Sequence, residues 1–221
     1  MNHRLNRGVN RHMTGRLIRR PALALSLAAL AAAAGCSPLA PRPDPSRFYV
    51  LAPIETAAVG TVPGDAALVL GPITTSAYLQ RPQIATRVPP NRIEYSRQSR
   101  WAEPLDANVA RVLASNLAAL LGTEEVYTYP AFPAQDVVLQ VSVRIERLER
   151  GPSGEAETVA QWTIRDPKRR LDLGAQRRTI TEPGSSADMT ASVEALSRAL
   201  GRLSRAIAES IVRLDVPPRS R

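Results

Sequence analysis

The chain contains a single cysteine, Cys36, and the segment in front of it limits how the rest can fold. Residues 1–20 carry six arginines and no acidic residue, and residues 21–35 contain only Pro, Ala, Leu, Ser and Gly. A basic region, a short apolar region and small residues before a cleavage point are typical of a secretory signal. The apolar part is shorter than the roughly 20 residues that a membrane-spanning helix needs. Residues 1–35 are therefore predicted to be a signal peptide.

The residues at the end of this signal predict a lipid anchor. Small residues lead up to Gly35 and Cys36, and cleavage between these two would leave Cys36 as the first residue, with its thiol acylated. Ala33 stands where bacterial lipoprotein signals usually carry Leu, so an ordinary secretory signal followed by a buried free cysteine is the alternative. Met13 is an alternative start of the chain.

Removal of this segment changes the composition on which function depends. The six arginines and both histidines leave with it, so the mature chain keeps 23 of the 29 basic residues against 20 acidic ones, a net charge of +3. Nucleic-acid-binding domains are strongly basic, so no nucleic-acid partner is expected. An acylated cysteine cannot form a disulfide within the chain, and the domain must therefore be stabilised by its hydrophobic core.

The mature chain lacks the residue types that most catalytic and metal sites need. Zinc sites require clusters of Cys, His and carboxylate ligands, and nucleophilic catalysis usually requires a His or a desolvated Lys as the base. The chain has no remaining His, and its one lysine, Lys168, lies in an Asp-Pro-Lys-Arg-Arg turn. Glu103 and Asp106 are more simply explained by the dipole of the helix that follows them. We expect no enzyme activity, no metal and no cofactor.

Composition also divides the mature chain into three parts. Residues 36–46 are the lipidated tether, in which four prolines favour an extended polyproline II spacer. Residues 47–215 form one globular domain, and residues 216–221 form a C-terminal tail.

Alternating apolar and polar residues predict an antiparallel sheet in this domain. At 137–145 every second residue is Val, Leu or Ile, a pattern typical of a strand with one covered face. The segment 158–164 is expected to pair with it. Further strands are predicted at 47–51, 67–73, 84–88, 92–96, 171–175 and 178–181.

Two segments carry apolar residues at helical spacing. The first follows Pro104 and ends at Gly122, and the second runs from Met189 to Leu214 after Asp188 as its N-cap. Helices on one face of an antiparallel sheet form a two-layer sandwich. The predicted fold is therefore α+β, with two helices packed on one face of a mainly antiparallel sheet.

Three sequence blocks resemble one known family. They are the Phe-Tyr-Val-Leu run at 48–51, the Tyr-Leu-Gln-Arg-Pro-Gln-Ile run at 78–84 and the Arg-Trp-Ala-Glu-Pro-Leu run at 100–105. In this order and spacing they resemble the ABC-type transport auxiliary (PqiC-like) lipoprotein family. The likeness extends from about Arg47 to Leu214.

The resemblance implies a lipoprotein, usually of the outer membrane, whose domain faces the periplasm. Such lipoproteins work with MCE-domain proteins, which form conduits for lipids between the two membranes. The implied role is to dock on or stabilise the outer-membrane end of the conduit without catalysis. Pro38 is not the Asp that typically retains lipoproteins in the inner membrane, which agrees with this location. Whether the protein forms a homo-oligomer is left open.

The matching blocks also suggest which residues contact the partner. Arg81, Pro82, Gln83, Arg100 and Trp101 are the candidates for the partner interface. The alternative is structural, with Pro82 shaping the entry to a strand and Trp101 packing under the helix after Pro104.

Two further alternatives remain open at this point. The basic turn at 168–170 and the arginine pair at 177–178 suit anionic lipid headgroups, but charged hairpin ends are usually just solvated. The protein is alternatively a lipoprotein scaffold or activator of cell-wall enzymes, since these also combine a tether with a small α/β domain.

Overall fold

Four strands precede the first α-helix of the described domain and four more precede the second, and both helices pack against the resulting sheet. The computed structural model describes residues 43–54, 57–63, 67–131 and 137–214. The signal peptide, Cys36 and most of the tether therefore lie outside the described residues, as does the predicted C-terminal tail. All the elements lie in one compact unit that begins at Pro45.

Eight strands and two helices make up this unit, with a short 3₁₀ helix at Ala77–Gln80. The strands are β1 (Arg47–Tyr49), β2 (Ala67–Thr75), β3 (Gln83–Val88), β4 (Arg92–Trp101), β5 (Val126–Thr128), β6 (Val137–Arg150), β7 (Ala156–Asp166) and β8 (Leu171–Glu182). The helices are α1 (Leu105–Leu121) and α2 (Met189–Val212).

The long strand β6 organises the sheet. Along one edge it pairs antiparallel with β7, which pairs antiparallel with β8. Its other edge is shared, because β2 runs parallel to most of β6 while β3 meets its end at Arg150. The strands β4 and then β1 continue outward from β3, and β5 continues from β2. The sheet is mixed, with most of its paired residues antiparallel, and the predicted α+β class is confirmed.

The core lies between this sheet and the two helices. The alternating pattern of β6 buries Leu139, Val141, Val143 and Ile145 completely or nearly so, as predicted. The apolar stripes of α1 and α2 cover them, and Trp162 of β7 is enclosed in the same core. Burial of such side chains is the main favourable term in folding.

The helix ends follow the signals in the sequence. At Gly122 the backbone is left-handed, with φ 59° and ψ 38°, and its N–H donates to the Ala118 carbonyl, which ends α1. At the start of α2 the Asp188 carboxylate accepts a hydrogen bond from the Thr190 N–H at 2.8 Å. Both predicted caps are confirmed.

Several predicted boundaries were wrong. Strand β4 continues past Ser96 to Trp101 because β1 pairs with its last three residues. The two predicted segments at 171–175 and 178–181 are one continuous strand, β8. Strand β5 and the 3₁₀ helix were not predicted, since three or four residues are too short to show a period.

Candidate partner-binding site

The two sequence blocks that contain the predicted interface residues meet in the fold. The Trp101 N–H donates to the Pro82 carbonyl at 2.7 Å. Gln83 of β3 is the register partner of Arg100 in β4. The 3₁₀ helix ends just before Arg81, so the backbone turns into β3 at this point. Residues 81–83 and residues 100–101, which are about 20 positions apart in the chain, therefore lie side by side where β3 begins and β4 ends. We call these five residues the strip.

The five residues of this strip differ in exposure. Arg81 and Pro82 are exposed, Gln83 and Arg100 are half-buried, and Trp101 is only 5% exposed within the core. The Trp101 ring therefore packs inside the domain, as its structural alternative stated. The Arg100 Nε is buried without a hydrogen-bond partner. The groups open to a partner are the side chains of Arg81, Pro82 and Gln83.

A chain of contacts through two tyrosines links Arg81 to the buried carboxylate of Glu149. The Arg81 guanidinium lies 4.8 Å from the centre of the Tyr95 ring, and the Tyr95 hydroxyl donates to the Tyr78 carbonyl at 3.0 Å. The Tyr78 hydroxyl donates in turn to Glu149 at 2.6 Å, and Arg87 forms an ion pair with the same carboxylate. Burial, followed by the hydrogen bond to Glu149, raises the pKa of Tyr78 well above its usual value. These contacts fix the 3₁₀ helix on β6 and so position Arg81.

Next to this strip, two large apolar side chains are exposed, one in β1 and one on the residue directly after it. Phe48 is the register partner of Arg100, and Tyr49 is the register partner of Trp101. Phe48 is 62% exposed and Val50 is 50% exposed. Among the described residues, β1 pairs with β4 only, so it lies at an edge of the sheet. Sequence reasoning placed these residues in a strand, but it did not predict that alternate residues of that strand point away from the core.

Phe48 and Val50 line an open groove of about 520 Å³. The segment 48–54 forms one wall, and the first half of α2 forms the other. Ile54 and Val193 extend the apolar lining, and Glu194 and Arg198 add one group of each charge. This volume falls within the range of ligand-binding clefts, which are mostly apolar with a few polar groups. We name this feature, lined by residues 48–54 and by α2 between Thr190 and Arg198, the N-terminal groove.

Polar side chains of both helices hold the groove wall. The Leu51 N–H donates to the Asn108 Oδ1 at 3.2 Å, and the Ala52 N–H donates to the Ser197 Oγ at 3.2 Å. The Ile54 N–H donates to the Asn116 Oδ1 at 3.1 Å. The segment after β1 thus satisfies its backbone donors through side chains rather than through a neighbouring strand.

Glu103 contributes to this support and is not part of an acid pair. Its carboxylate accepts a hydrogen bond from Arg111 Nη2 at 2.9 Å, and the same nitrogen lies 3.2 Å from the Leu51 carbonyl. The Asp106 carboxylate instead accepts from the neighbouring Ala107 N–H at 2.9 Å. Both acids are therefore engaged with arginine or backbone.

The chemistry of the groove suits binding. Within residues 43–54, 57–63, 67–131 and 137–214, no group of three or more His, Cys, Asp or Glu side chains is arranged to hold a metal ion. No helix in the same ranges has the length and apolar character to cross a membrane. What the groove offers a partner is an apolar surface beside the edge strand β1, with β4 between this strand and Gln83 of the strip.

Comparison with known proteins agrees with these features. The profile of the ABC-type transport auxiliary lipoprotein component family matches residues 49–208. The chain belongs to this family. The match includes the groove wall from Tyr49 onward, the strip at residues 81–101 and most of α2. No functionally curated protein matches the chain.

Two solved structures of other proteins have the same fold as this chain. Protein XCC0632 from Xanthomonas campestris, of family DUF330, superposes with a TM-score of 0.65 at 14% identity, covering 76% of this chain and 95% of that one. A second, uncharacterized protein gives a TM-score of 0.59 at 14% identity, covering 75% and 98%. A looser similarity, with a TM-score of 0.36 at 18% identity, is to the PelC dodecamer from Paraburkholderia phytofirmans, covering 66% and 93%.

Proposed function

We propose that this transport auxiliary lipoprotein is anchored to the outer membrane through Cys36 and docks on the MCE-domain protein of its transport system. Its domain faces the periplasm and stabilises the outer-membrane end of a lipid conduit. Family membership supports the transport role. The signal pattern before Cys36 supports the anchor, and Pro38 supports the outer membrane.

The N-terminal groove is the observation that carries the docking proposal. Phe48 and Val50 each leave at least half of their surface in water, although the residues that alternate with them, Tyr49 and Leu51, are half-buried and buried. Enclosing a large apolar side chain contributes about 1.5–3 kcal/mol, and interface energy is concentrated in a few such anchors. An apolar segment of the MCE-domain protein that covers both side chains would therefore gain most of its affinity here.

The surroundings of the groove support a specific partner. Gln83 lies two strands from Phe48, across Arg100 of β4, and Arg198 and Glu194 lie on the α2 wall of the groove. Polar groups at the rim of an apolar contact determine its orientation more than its affinity. The role in this proposal is non-catalytic, as in a transport auxiliary component, and the arginine of the groove, Arg198, already bonds to Glu182 and to the Pro183 carbonyl.

Co-purification from mild detergent tests this proposal. The full-length lipoprotein should retain the MCE-domain protein encoded beside it, and Val50→Asp should reduce the retained amount by about tenfold or more, since a carboxylate would be buried against apolar surface. Leu171→Asp is the matched control, because Leu171 is 51% exposed on β8 and should retain the partner normally.

Three outcomes would count against parts of the proposal. Failure of the wild-type proteins to associate would contradict the MCE partner, and recovery of a cell-wall synthase instead would favour the scaffold alternative. Normal retention by Val50→Asp would exclude the groove as the docking surface. Recovery of the lipoprotein in the inner-membrane fraction would contradict its location.

A further inference from the structure

Strand β8 is a long edge strand of the sheet. It lies on the opposite side of β6 from β1. It runs for 12 residues and pairs with β7 at eleven of them. Within the described part of the chain, no strand pairs with its outer edge. The one irregularity is near its start, so 174–182 is an unbroken ladder. Exposed edges of this length are unusual, because their free N–H and C=O groups attract other strands.

The outer edge of β8 is open to a second backbone. Ala175, Arg177, Arg178 and Thr179 are exposed. A Cβ built on Gly174 would meet no atom within 4 Å. The helix α2 touches this strand from its inner face, where the Gln176 side chain donates to the Ser210 Oγ at 3.1 Å. This contact of α2 is made with the face of β8, and among the described strands only β7 pairs with β8.

Positive charge is concentrated in the turn before β8 and in the first part of this strand, at 165–178, whereas the ladder 174–182 itself carries Arg177, Arg178 and Glu182. Residues 165–178 contain six basic and two acidic residues, a net charge of +4, which exceeds the +3 of the whole mature chain. Both acids are already engaged, since Asp166 accepts the N–H groups of the turn after it and Asp172 pairs with Arg165. Arg177 is paired with Glu146 at 2.7 Å, whereas Arg178 has no ion-pair partner in the described structure.

These positive charges favour the addition of some strands to β8 and disfavour the addition of others. A second copy of β8, paired antiparallel about the middle of the strand, would place Arg177 or Arg178 at or beside the same residue of the other copy. Like charges directly opposite each other destabilise a pair of strands. An extended segment with acidic residues at alternate positions would instead gain both backbone hydrogen bonds and charge pairs.

We propose that the outer edge of β8 binds an extended, acidic polypeptide segment of another protein by strand addition. The segment lies along residues 174–182, and its carboxylates face Arg178 and the basic turn at 168–170. This surface is separate from the N-terminal groove, and the proposal does not depend on the identity of the partner that docks there. An anionic membrane is the competing ligand for the same charges, but it cannot satisfy the N–H and C=O groups of a strand edge.

Titration with defined peptides tests the proposal on the full-length protein in detergent. The probe is a nine-residue peptide in which Glu alternates with Val and Thr. It should bind with a Kd of about 1 mM or tighter, and it should slow amide hydrogen exchange at 174–182. The same peptide with Lys in place of Glu should not bind. Two further versions carry N-methyl groups on alternate residues, one on the odd and one on the even positions. The version whose methyl groups lie on the edge facing β8 should lose binding, and the other should keep it.

Charge-reversal variants identify the contact. Arg178→Glu should weaken binding of the acidic peptide by about tenfold or more, because it replaces an attraction by a repulsion. Arg97→Glu is the matched control, since Arg97 is an exposed arginine on β4, and it should change binding less than about twofold.

Each other outcome overturns the proposal. Absence of binding by the acidic peptide at about 1 mM excludes the site. Equal binding by both N-methylated peptides shows a contact through charge alone. If vesicles of phosphatidylglycerol and phosphatidylethanolamine bind through Arg178 and the acidic peptide does not compete, the surface recognises a membrane. Each of these results leaves the docking function of the N-terminal groove untouched.

Discussion

Buried polar residues explain why an irregular segment holds a defined shape at the groove. Asn108 and Asn116 are almost completely buried on α1, at positions where an apolar stripe would favour Leu or Val. Each accepts a backbone N–H from the segment after β1. Asn116 also donates to the Ser204 Oγ at 3.1 Å, which links it to α2. An unpaired polar group in such a site is costly, so these contacts specify the path of residues 51–54.

Replacement of Asn116 by Ala should destabilise the domain. The Ile54 N–H and the Ser204 hydroxyl would both lose a partner, and the free energy of unfolding should fall by about 1–3 kcal/mol. Urea unfolding measures this change. Ser115→Ala is the control, because Ser115 is exposed on the same helix and should cost less than about 0.5 kcal/mol. Equal effects of the two variants would contradict the role given to Asn116.

The hydroxyl of Tyr78 should make stability depend on alkaline pH. Its pKa is raised in the folded state by burial and by Glu149, against a usual value of 10.0. The folded protein therefore binds this proton more tightly than the unfolded chain, and the resulting stabilisation is complete below pH 10.0 and is lost as the pH rises above it. The group opposing this effect is Arg87, which faces the same carboxylate.

Unfolding of Tyr78→Phe at two pH values checks this linkage. At about pH 8 the variant should be less stable than the wild type, because a hydrogen bond to a charged carboxylate contributes about 1.5–3 kcal/mol. At about pH 11 the difference should be smaller, since only the wild type loses the Tyr78 contribution. A difference that stays constant between the two pH values would show that Tyr78 keeps its usual pKa.

At the scale of elements, long periodic segments could be predicted and pairings between distant segments could not. The period of two in β6 and the apolar stripes of the two helices follow from local sequence, and so do the caps at Gly122 and Asp188. The parallel pairing of β1 with β4 depends on residues about 50 positions apart. The exposure of Phe48 follows from that pairing. The groove was therefore missed, although its residues were named.

The N-cap of α2 should contribute measurably to the stability of the helix that forms one wall of the groove. Thr190 and Val193, in the first turns of α2, line this wall. Asp188→Ala should lower the free energy of unfolding by about 0.5–2 kcal/mol, since the Thr190 N–H loses its acceptor. Asp188→Asn is the matched control, because it keeps the acceptor without the charge and should cost less. Thermal and urea unfolding of the three proteins decide between these outcomes. Equal losses in both variants would indicate that the charge matters rather than the cap.

At the scale of the whole molecule, the groove lies close to the point where the tether enters the domain. The described chain begins four residues before β1, and Phe48 is the second residue of that strand. A partner that docks in the groove would therefore be held near the end of the domain that follows the proposed anchor at Cys36. The edge of β8 belongs to the other end of the strand order, beyond β6 and β7. Of the three edge strands β1, β5 and β8, two are thus proposed as binding surfaces, one apolar and one basic.

Substitution of the proposed anchor tests how the domain reaches its membrane. Cys36→Ser removes the thiol that would carry the lipid, so the protein should appear in the soluble fraction or keep its signal peptide. Stable attachment needs more than a single acyl chain, and a diacylglycerol thioether meets that requirement. Labelled palmitate should enter the wild type and not the variant. If Cys36→Ser takes up the same label and fractionates with membranes as the wild type does, Cys36 is not the anchor. The position of the groove at the start of the domain would then no longer indicate that a bound partner is held near the membrane.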